Sequence, residues 1–244
     1  PVTNPATLSG AGAAGNTDVV SDATFDAGTY DLSETGGPAG YTASAWVCVG
    51  GTQVDGDTVT IALGENVTCT ITNNDNATTL TLVKTLVNDN GGTNIIADWA
   101  LTADGNPFTS GVSQNVTPDT YTLTESGPSG YTASAWVCVG GSQTGSDITL
   151  ALGENATCTI TNDDTSATLT LQKTVVNDNG GSATNANFTP SIDGSPTTWS
   201  TAINLPPGPH TASETALAGY TAGSWGGDCA ADGSITLTLG QTAT

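Results

Sequence analysis

One passage is written twice in this chain, 89 residues apart, with two changes: TLTLVKTLVNDNGG at 79–92 and TLTLQKTVVNDNGG at 168–181. Tyr41, Tyr131 and Tyr220 stand 90 and 89 residues apart, and so do Trp46, Trp136 and Trp225. A fixed period of this kind makes the chain an array, and a unit of roughly 90 residues is large enough to fold around its own core. Within each unit, short runs alternate apolar and polar residues and are broken by Gly, Asn-Gly and Pro. That period of two belongs to strands, and strands at this spacing predict an all-β fold, a tandem array of β-sandwich domains. The boundaries fall at 1–75, a repeat lacking its first strand, at 76–164, a complete repeat, and at 165–244, a repeat lacking its last strand.

The chain holds only two basic residues against 23 acidic ones, and both are lysines at matching places, Lys84 and Lys173. Alternate residues of a strand share a face. Lys84 falls in with Leu80, Leu82 and Leu86, and Lys173 with Leu169, Leu171 and Val175. Each amine is therefore expected on the apolar face, where an uncompensated ammonium costs several kcal/mol. The same parity places Glu125 with Tyr121 and Leu123, Glu34 with Tyr30 and Leu32, and Glu214 with His210 and Ala212. It places Asn162 with Cys158 and Ile160, and Asn73 with Cys69 and Ile71. A Lys, a Glu and an Asn thus recur on inward faces of three separate strands. Burial lowers a lysine's pKa and raises a carboxyl's, so a neutral amine could attack the Asn carboxamide while the Glu shuttles the proton. The alternative is an unreacted buried Lys–Glu pair hydrogen-bonded to Asn.

Charge and cysteines narrow the setting. A net charge of −21 repels phosphate backbones and anionic membrane surfaces, which argues against nucleic acid. No apolar run is long enough to cross a membrane. The sequence opens at Pro1 with no signal-like segment, so any export signal is expected outside it. Cys48 and Cys69 fall in one repeat, Cys138 and Cys158 in the next, each pair joining the strand after the recurring Trp to the last strand of its unit. Paired cysteines in a small domain poor in apolar residues point to disulfides and an oxidising, extracellular or cell-surface location, with buried free thiols as the alternative. Cys229 has no counterpart within 165–244. His210 stands alone, with no nucleophile–base pair or metal triad around it, so no enzymatic activity is expected.

The passage Tyr30-x-Leu-x-Glu34-x-x-x-Pro38-x-Gly40-Tyr41 resembles the E-box of the prealbumin-like, Cna B-type (SpaA-like) repeat domains of bacterial surface adhesins and pilins. The resemblance runs through essentially the whole chain, repeat by repeat. It implies a spontaneous isopeptide bond between Lys84 and Asn162, assisted by Glu125. It also implies partial sets: Lys173 with Glu214 in the third repeat, and Glu34 with Asn73 in the first. The third repeat departs from the pattern with Leu217 in the place of Pro128 and His210 in that of Tyr121.

Lesser signals remain. The Asn88–Gly92 and Asn177–Gly181 loops read as hairpin turns, because Asn-Gly suits positive φ. Asp89 and Asp178 in those loops, with Asp163 and Asp164 nearby, could hold calcium at a domain junction; no other cofactor is indicated. Asn66, Asn76, Asn115, Asn155 and Asn187 open glycosylation sequons, and Trp46, Trp136 and Trp225 read as core anchors. The functional expectation is a structural stalk or filament that resists pulling and proteolysis. The alternative is an adhesin binding module for a host, surface or glycan ligand, for which the unmatched Trp199 is the best pointer. The partner expected is self: a longer tandem chain cut at both ends, or subunits sharing strands. In either case the Ala243–Thr244 end of one copy would meet the Pro1–Pro5 start of another.

Overall fold

A computed structural model describes residues 26–244; Pro1–Pro5 lie outside them. The chain divides into two compact units, 1–76 and 77–244. In the first, the strands are β1 (Gly28–Asp31), β2 (Tyr41–Ala43), β3 (Val47–Val49), β4 (Thr52–Gln53), β5 (Thr58–Ile61), β6 (Thr68–Thr70) and β7 (Asn73–Asp75). They pair as β1-β5-β4, β2-β7 and β3-β6.

The second unit holds two repeats. The complete one contains β8 (Thr78–Val87), β9 (Ala100–Ala103), β10 (Asn106–Phe108), β11 (Ser113–Val116), β12 (Thr120–Ser126), β13 (Tyr131–Ala133), β14 (Val137–Val139), β15 (Ser142–Thr144), β16 (Asp147–Thr149) and β17 (Asn155–Asp164). One sheet runs β10-β9-β12-β16-β15; the other runs β11-β8-β17-β13, with β14 also on β17. The first and last strands of the repeat, β8 and β17, lie side by side and parallel over nine register positions, from Asn155↔Thr79 to Asp163↔Val87. A parallel pair cannot be joined by a tight turn. The whole sandwich is therefore the connection between them.

Packing follows the alternation. Leu80, Leu82 and Lys84 are buried on β8, while Thr79, Thr81 and Val83 between them are half-exposed. Leu101, Ala103, Tyr121, Leu123 and Ile148 close the core from the facing sheet, and Trp136, Cys158 and Ile160 complete it. Each Leu or Ile buried in this way contributes about 1.5–3 kcal/mol.

The third repeat is built from β18 (Ala167–Thr170), β19 (Pro190–Ile192), β20 (Ser195–Pro196), β21 (Ala202–Leu205), β22 (Gly208–Glu214), β23 (Ser234–Leu237) and β24 (Thr242–Ala243). Its sheets are β21-β18-β24 and β20-β19-β22-β23. β24 pairs parallel to β18, with Thr242↔Thr168 and Ala243↔Leu169. This repeats the β8–β17 pairing of Asn155↔Thr79 and Ala156↔Leu80.

One expectation is corrected. The Asn88–Gly92 loop is not a hairpin turn, because β8 and the next strand, β9, belong to different sheets. Gly91 does take a positive φ, 91°, but the turn carries the chain across the sandwich rather than back along β8.

Two local devices were not legible in the alternation. On β14, the Gln143 side-chain amide accepts the Cys138 N–H at 2.8 Å and donates to the Trp136 carbonyl at 2.7 Å, occupying the backbone groups of a strand edge. Gln53 does the same for Cys48 and Trp46 in the first repeat, at 3.1 and 2.7 Å. An edge satisfied by its own side chain is a poor template for another chain. In the third repeat, His210 takes the place of Tyr121. Its Nε2 lies 2.9 Å from the Pro206 carbonyl and its Nδ1 2.7 Å from Asp193 Oδ2. A carbonyl and a carboxylate both ask for a donor, so this site fits the doubly protonated ring. Burial pushes the His210 pKa down, but the hydrogen bonds to Asp193 and Pro206 and the Asp193 charge outweigh it, and the net direction is up.

Gln143→Ala should lower stability by about 1 kcal/mol, seen as an earlier urea midpoint, because a backbone donor and an acceptor lose their partners. His210, the chain's sole histidine, should titrate above the ordinary value of about 6.5 in proton NMR. A pKa raised by folding adds stability that is full below the unfolded value and is lost as pH rises through the folded one. The third repeat should therefore loosen as pH rises through that value, and His210→Phe should abolish the dependence.

Candidate functional site

Three strands bring one polar set together inside the complete repeat. β8 carries Lys84, β12 of the facing sheet carries Glu125, and β17 carries Asn162. In the β8–β17 register Lys84 stands opposite Ile160 and Leu86 opposite Asn162, so Lys84 and Asn162 are diagonal neighbours on the same inward face. Lys84 is 1% exposed and Asn162 5%. The Lys84 amine reaches across the core to within 3.2 Å of Glu125 Oε2, and it sits 5.2 Å from the centre of the Trp99 ring.

The geometry does not satisfy these atoms. Lys84 Nζ, Glu125 Oε2 and Asn162 Oδ1 are all sealed from solvent, and none has a hydrogen bond of proper geometry, despite the ion-pair distance between the first two. Native cores leave very few buried polar atoms in this condition, at about 1–3 kcal/mol each. Burial pushes the Lys84 pKa down, only partly opposed by the nearby Glu125 carboxylate. A depressed pKa favours the neutral, nucleophilic amine.

In the third repeat, the Lys173 amine donates to Glu214 Oε1 at 2.7 Å, with side chains 16% and 12% exposed. Phe188 replaces Trp99 beside it, 4.4 Å from ring centre to amine. Glu214 Oε2 is sealed and without a partner. In the first repeat, Asn73 Nδ2 donates to Glu34 Oε1 at 2.7 Å. These two residues were expected to face the core, yet both are exposed. Glu34 borders an open groove of about 490 Å³ lined also by Leu32, Ala43, Trp46 and Ile71. Leu123, Trp136 and Ile160, the matching residues of the complete repeat, are buried. The physical reason is the missing cover: among the described residues of 26–76, no strand takes the part of β8.

The cysteines pair as expected. Cys48–Cys69 joins β3 to β6 and Cys138–Cys158 joins β14 to β17, each between directly opposed residues. Cys229 is a buried free thiol, its pKa raised by burial and by Asp228. Trp199 is half-buried: it stacks on Trp225 with ring centres 6.4 Å apart, and its indole N–H donates to the Phe188 carbonyl at 2.8 Å.

Of the acidic residues proposed for calcium, Asp89, Asp163 and Asp164 bring carboxylate oxygens within 4.8 Å of one another. Among the described residues, Asp178 joins no such group. Asp164, 3% exposed, accepts backbone N–H groups from Asp89, Asn90 and Gly92 at 2.9, 2.9 and 2.5 Å. Burial pushes its pKa up, but those N–H bonds prevail and hold it low. Its carboxylate is therefore a clamp on the 88–92 loop. A side chain at Gly92 would collide with Tyr131 Oη and with Asp164 itself.

A profile of the prealbumin-like fold domain of SpaA type matches residues 2–71, 75–160 and 164–244. No curated protein matches the chain. Among solved structures, the TIE protein of Bacillus anthracis is similar at 15% identity and a TM-score of 0.41, covering 89% of this chain and 50% of its own. The chain thus spans about half the length of that structure. With three consecutive segments matched and nearly all of its length accounted for, the chain belongs to the SpaA-type prealbumin-like domain family.

Proposed function

We propose that this chain is a structural repeat region of a secreted or cell-surface stalk or filament, in which intradomain Lys–Asn isopeptide bonds and disulfides lock each complete domain. Repeats of this family are typical of surface pilins and adhesin stalks, and the two cross-strand disulfides suit an oxidising exterior. Among the described residues, no helix is long and apolar enough to cross a membrane. Partners of the same kind, further repeats or further copies, fit a chain whose repeats are near-identical and whose charge of −21 opposes non-specific contacts.

The observation that carries this reading is the trio of sealed, unsatisfied atoms on Lys84, Glu125 and Asn162. An amide between Lys84 Nζ and Asn162 Cγ removes the buried ammonium. Its new N–H becomes a donor for the Glu125 carboxyl. In the reaction the neutral amine attacks the carboxamide carbon, Glu125 moves the proton to the departing nitrogen, and ammonia leaves. Strands fixed side by side supply the proximity that a sluggish amide exchange requires. The bond ties the first strand to the last and closes a loop of nearly 80 residues, removing about 4.5 kcal/mol of unfolded-state entropy. A pull on the two ends of such a domain would meet a covalent bond before it met the core. Lys173 and Glu214 in the third repeat, and Glu34 with Asn73 in the first, are read as parts of the same set.

Trypsin makes a simple test, because Lys84 and Lys173 are its only two cleavage sites in the chain. Denatured, reduced protein with a bonded Lys84 should be cut at Lys173 alone, and its intact mass should be lower by one ammonia. Glu125→Ala should restore cleavage after Lys84, restore the full mass and lower the melting temperature. Cleavage at Lys84 in the unaltered protein, at full mass once the disulfides are accounted for, rules out the bond.

A further inference from the structure

The second and third repeats share one compact unit, and only Thr165 and Ser166 separate β17 from β18. Domains joined in a chain move against one another unless the contacts at their junction hold them. Here the linker itself is held. The Thr165 N–H donates to the Gly130 carbonyl of the second repeat at 2.9 Å, and the Thr165 carbonyl accepts the Gly240 N–H of the third at 2.8 Å. One linker residue is thereby bonded to both repeats.

Two close contacts accompany it. Gly91 stands against Pro206 and Pro207, in the connection from β21 to β22, and a Cβ on it would lie 2.8 Å from the Pro207 ring. Gly130 stands against Leu239, in the connection from β23 to β24, and a Cβ on it would lie 2.5 Å from the Leu239 Cβ. Both glycines also take positive φ, 91° and 83°, so backbone conformation and the adjoining repeat each exclude a side chain. Gly91 belongs to the 88–92 loop, which the Asp164 carboxylate fixes through the N–H groups of Asp89, Asn90 and Gly92. Asp164 is also the last residue of β17, next to the linker. The same residue thus ends the second repeat and holds the loop that meets the third. Beside the contact lies a cleft of about 240 Å³, lined by Asn90, Ser166, Asn204 and Leu205 among others. The fastening is therefore a set of points rather than a broad face.

We propose that these contacts form a rigid joint, with the second and third repeats turning as one body, and that Asp164 sets the angle between them. Pro206 and Pro207 suit the part, because their rings fix φ and present a stiff surface to Gly91. Backbone N–H bonds to a buried carboxylate are among the stronger hydrogen bonds a protein makes. Self-repulsion at a net charge of −21 extends an array but does not fix the angle at which two repeats meet; close contacts do. The joint involves no covalent bond between strands, so it stands or falls independently of Lys84 and Asn162.

Residual dipolar couplings of the whole chain, weakly aligned, test this. Backbone N–H couplings from the second and third repeats should fit a single alignment tensor at the relative orientation of this structure. Asp164→Ala should release the 88–92 loop and split the fit, giving the two repeats tensors of different magnitude while the amide shifts of both cores stay in place. Pro207→Gly, which leaves the second repeat unaltered, should split it as well. Two tensors in the unaltered chain overturn the joint. A single tensor that survives Asp164→Ala overturns Asp164 as the residue that sets the angle. Should that variant fail to fold, a single tensor that survives Pro207→Gly overturns the role of the clamped loop.

Discussion

An amine sealed in an apolar core constrains everything around it. Lys84 stands 1% exposed among leucines, 3.2 Å from one carboxylate oxygen. A buried ion pair is weak as a source of stability, because desolvating both charges consumes most of the attraction between them. Hydrophobic residues of similar volume would hold β8 to β12 at least as well. The sandwich fixes where a Lys, a Glu and an Asn stand relative to one another. The parallel β8–β17 pair sets the amine diagonal to the carboxamide, and the facing sheet delivers the acid.

Comparison of the three repeats separates what that set needs. In the complete repeat β8 covers the groove, and the three groups are buried together. In the first repeat the acid and the carboxamide find each other at 2.7 Å, but in the open. In the third, the amine and acid meet at 2.7 Å beside Phe188 and are largely buried. Pairwise contact is thus possible for either half, but only in the complete repeat are amine, acid and carboxamide buried together, and burial is what lowers the Lys84 pKa.

At the junction of the second and third repeats the controlling group is the carboxylate of Asp164. It closes β17 and fastens the loop that leaves β8, the strand beside it. Thr165 N–H then bonds to Gly130 O, and Gly240 N–H to Thr165 O, so the connection between the repeats is hydrogen-bonded on both sides. A loop this rich in Asn, Asp and Gly would be mobile if left to itself. Three N–H bonds to one buried anion hold it.

Much of this was readable in the residues alone. The period, the all-β class, the inward faces of Lys84, Glu125 and Asn162 and the pairing of the cysteines all follow from spacing within a strand or between copies. A period of two is a local property, and repetition lets one copy correct the reading of another. The features that escaped lie between residues distant in sequence: Asp164 on the 88–92 loop, Asp193 on His210, and Pro207 on Gly91. Gln143 on the edge of β14 is close in sequence, but its role exists only because that edge is left unpaired. The Asn-Gly loops looked like hairpins because φ preference is local, whereas the sheet that the next strand joins is not. Glu34 and Asn73 carry the right parity and yet stand exposed. Alternation tells which way a side chain points; only the packing of a neighbouring strand decides whether that direction is the inside.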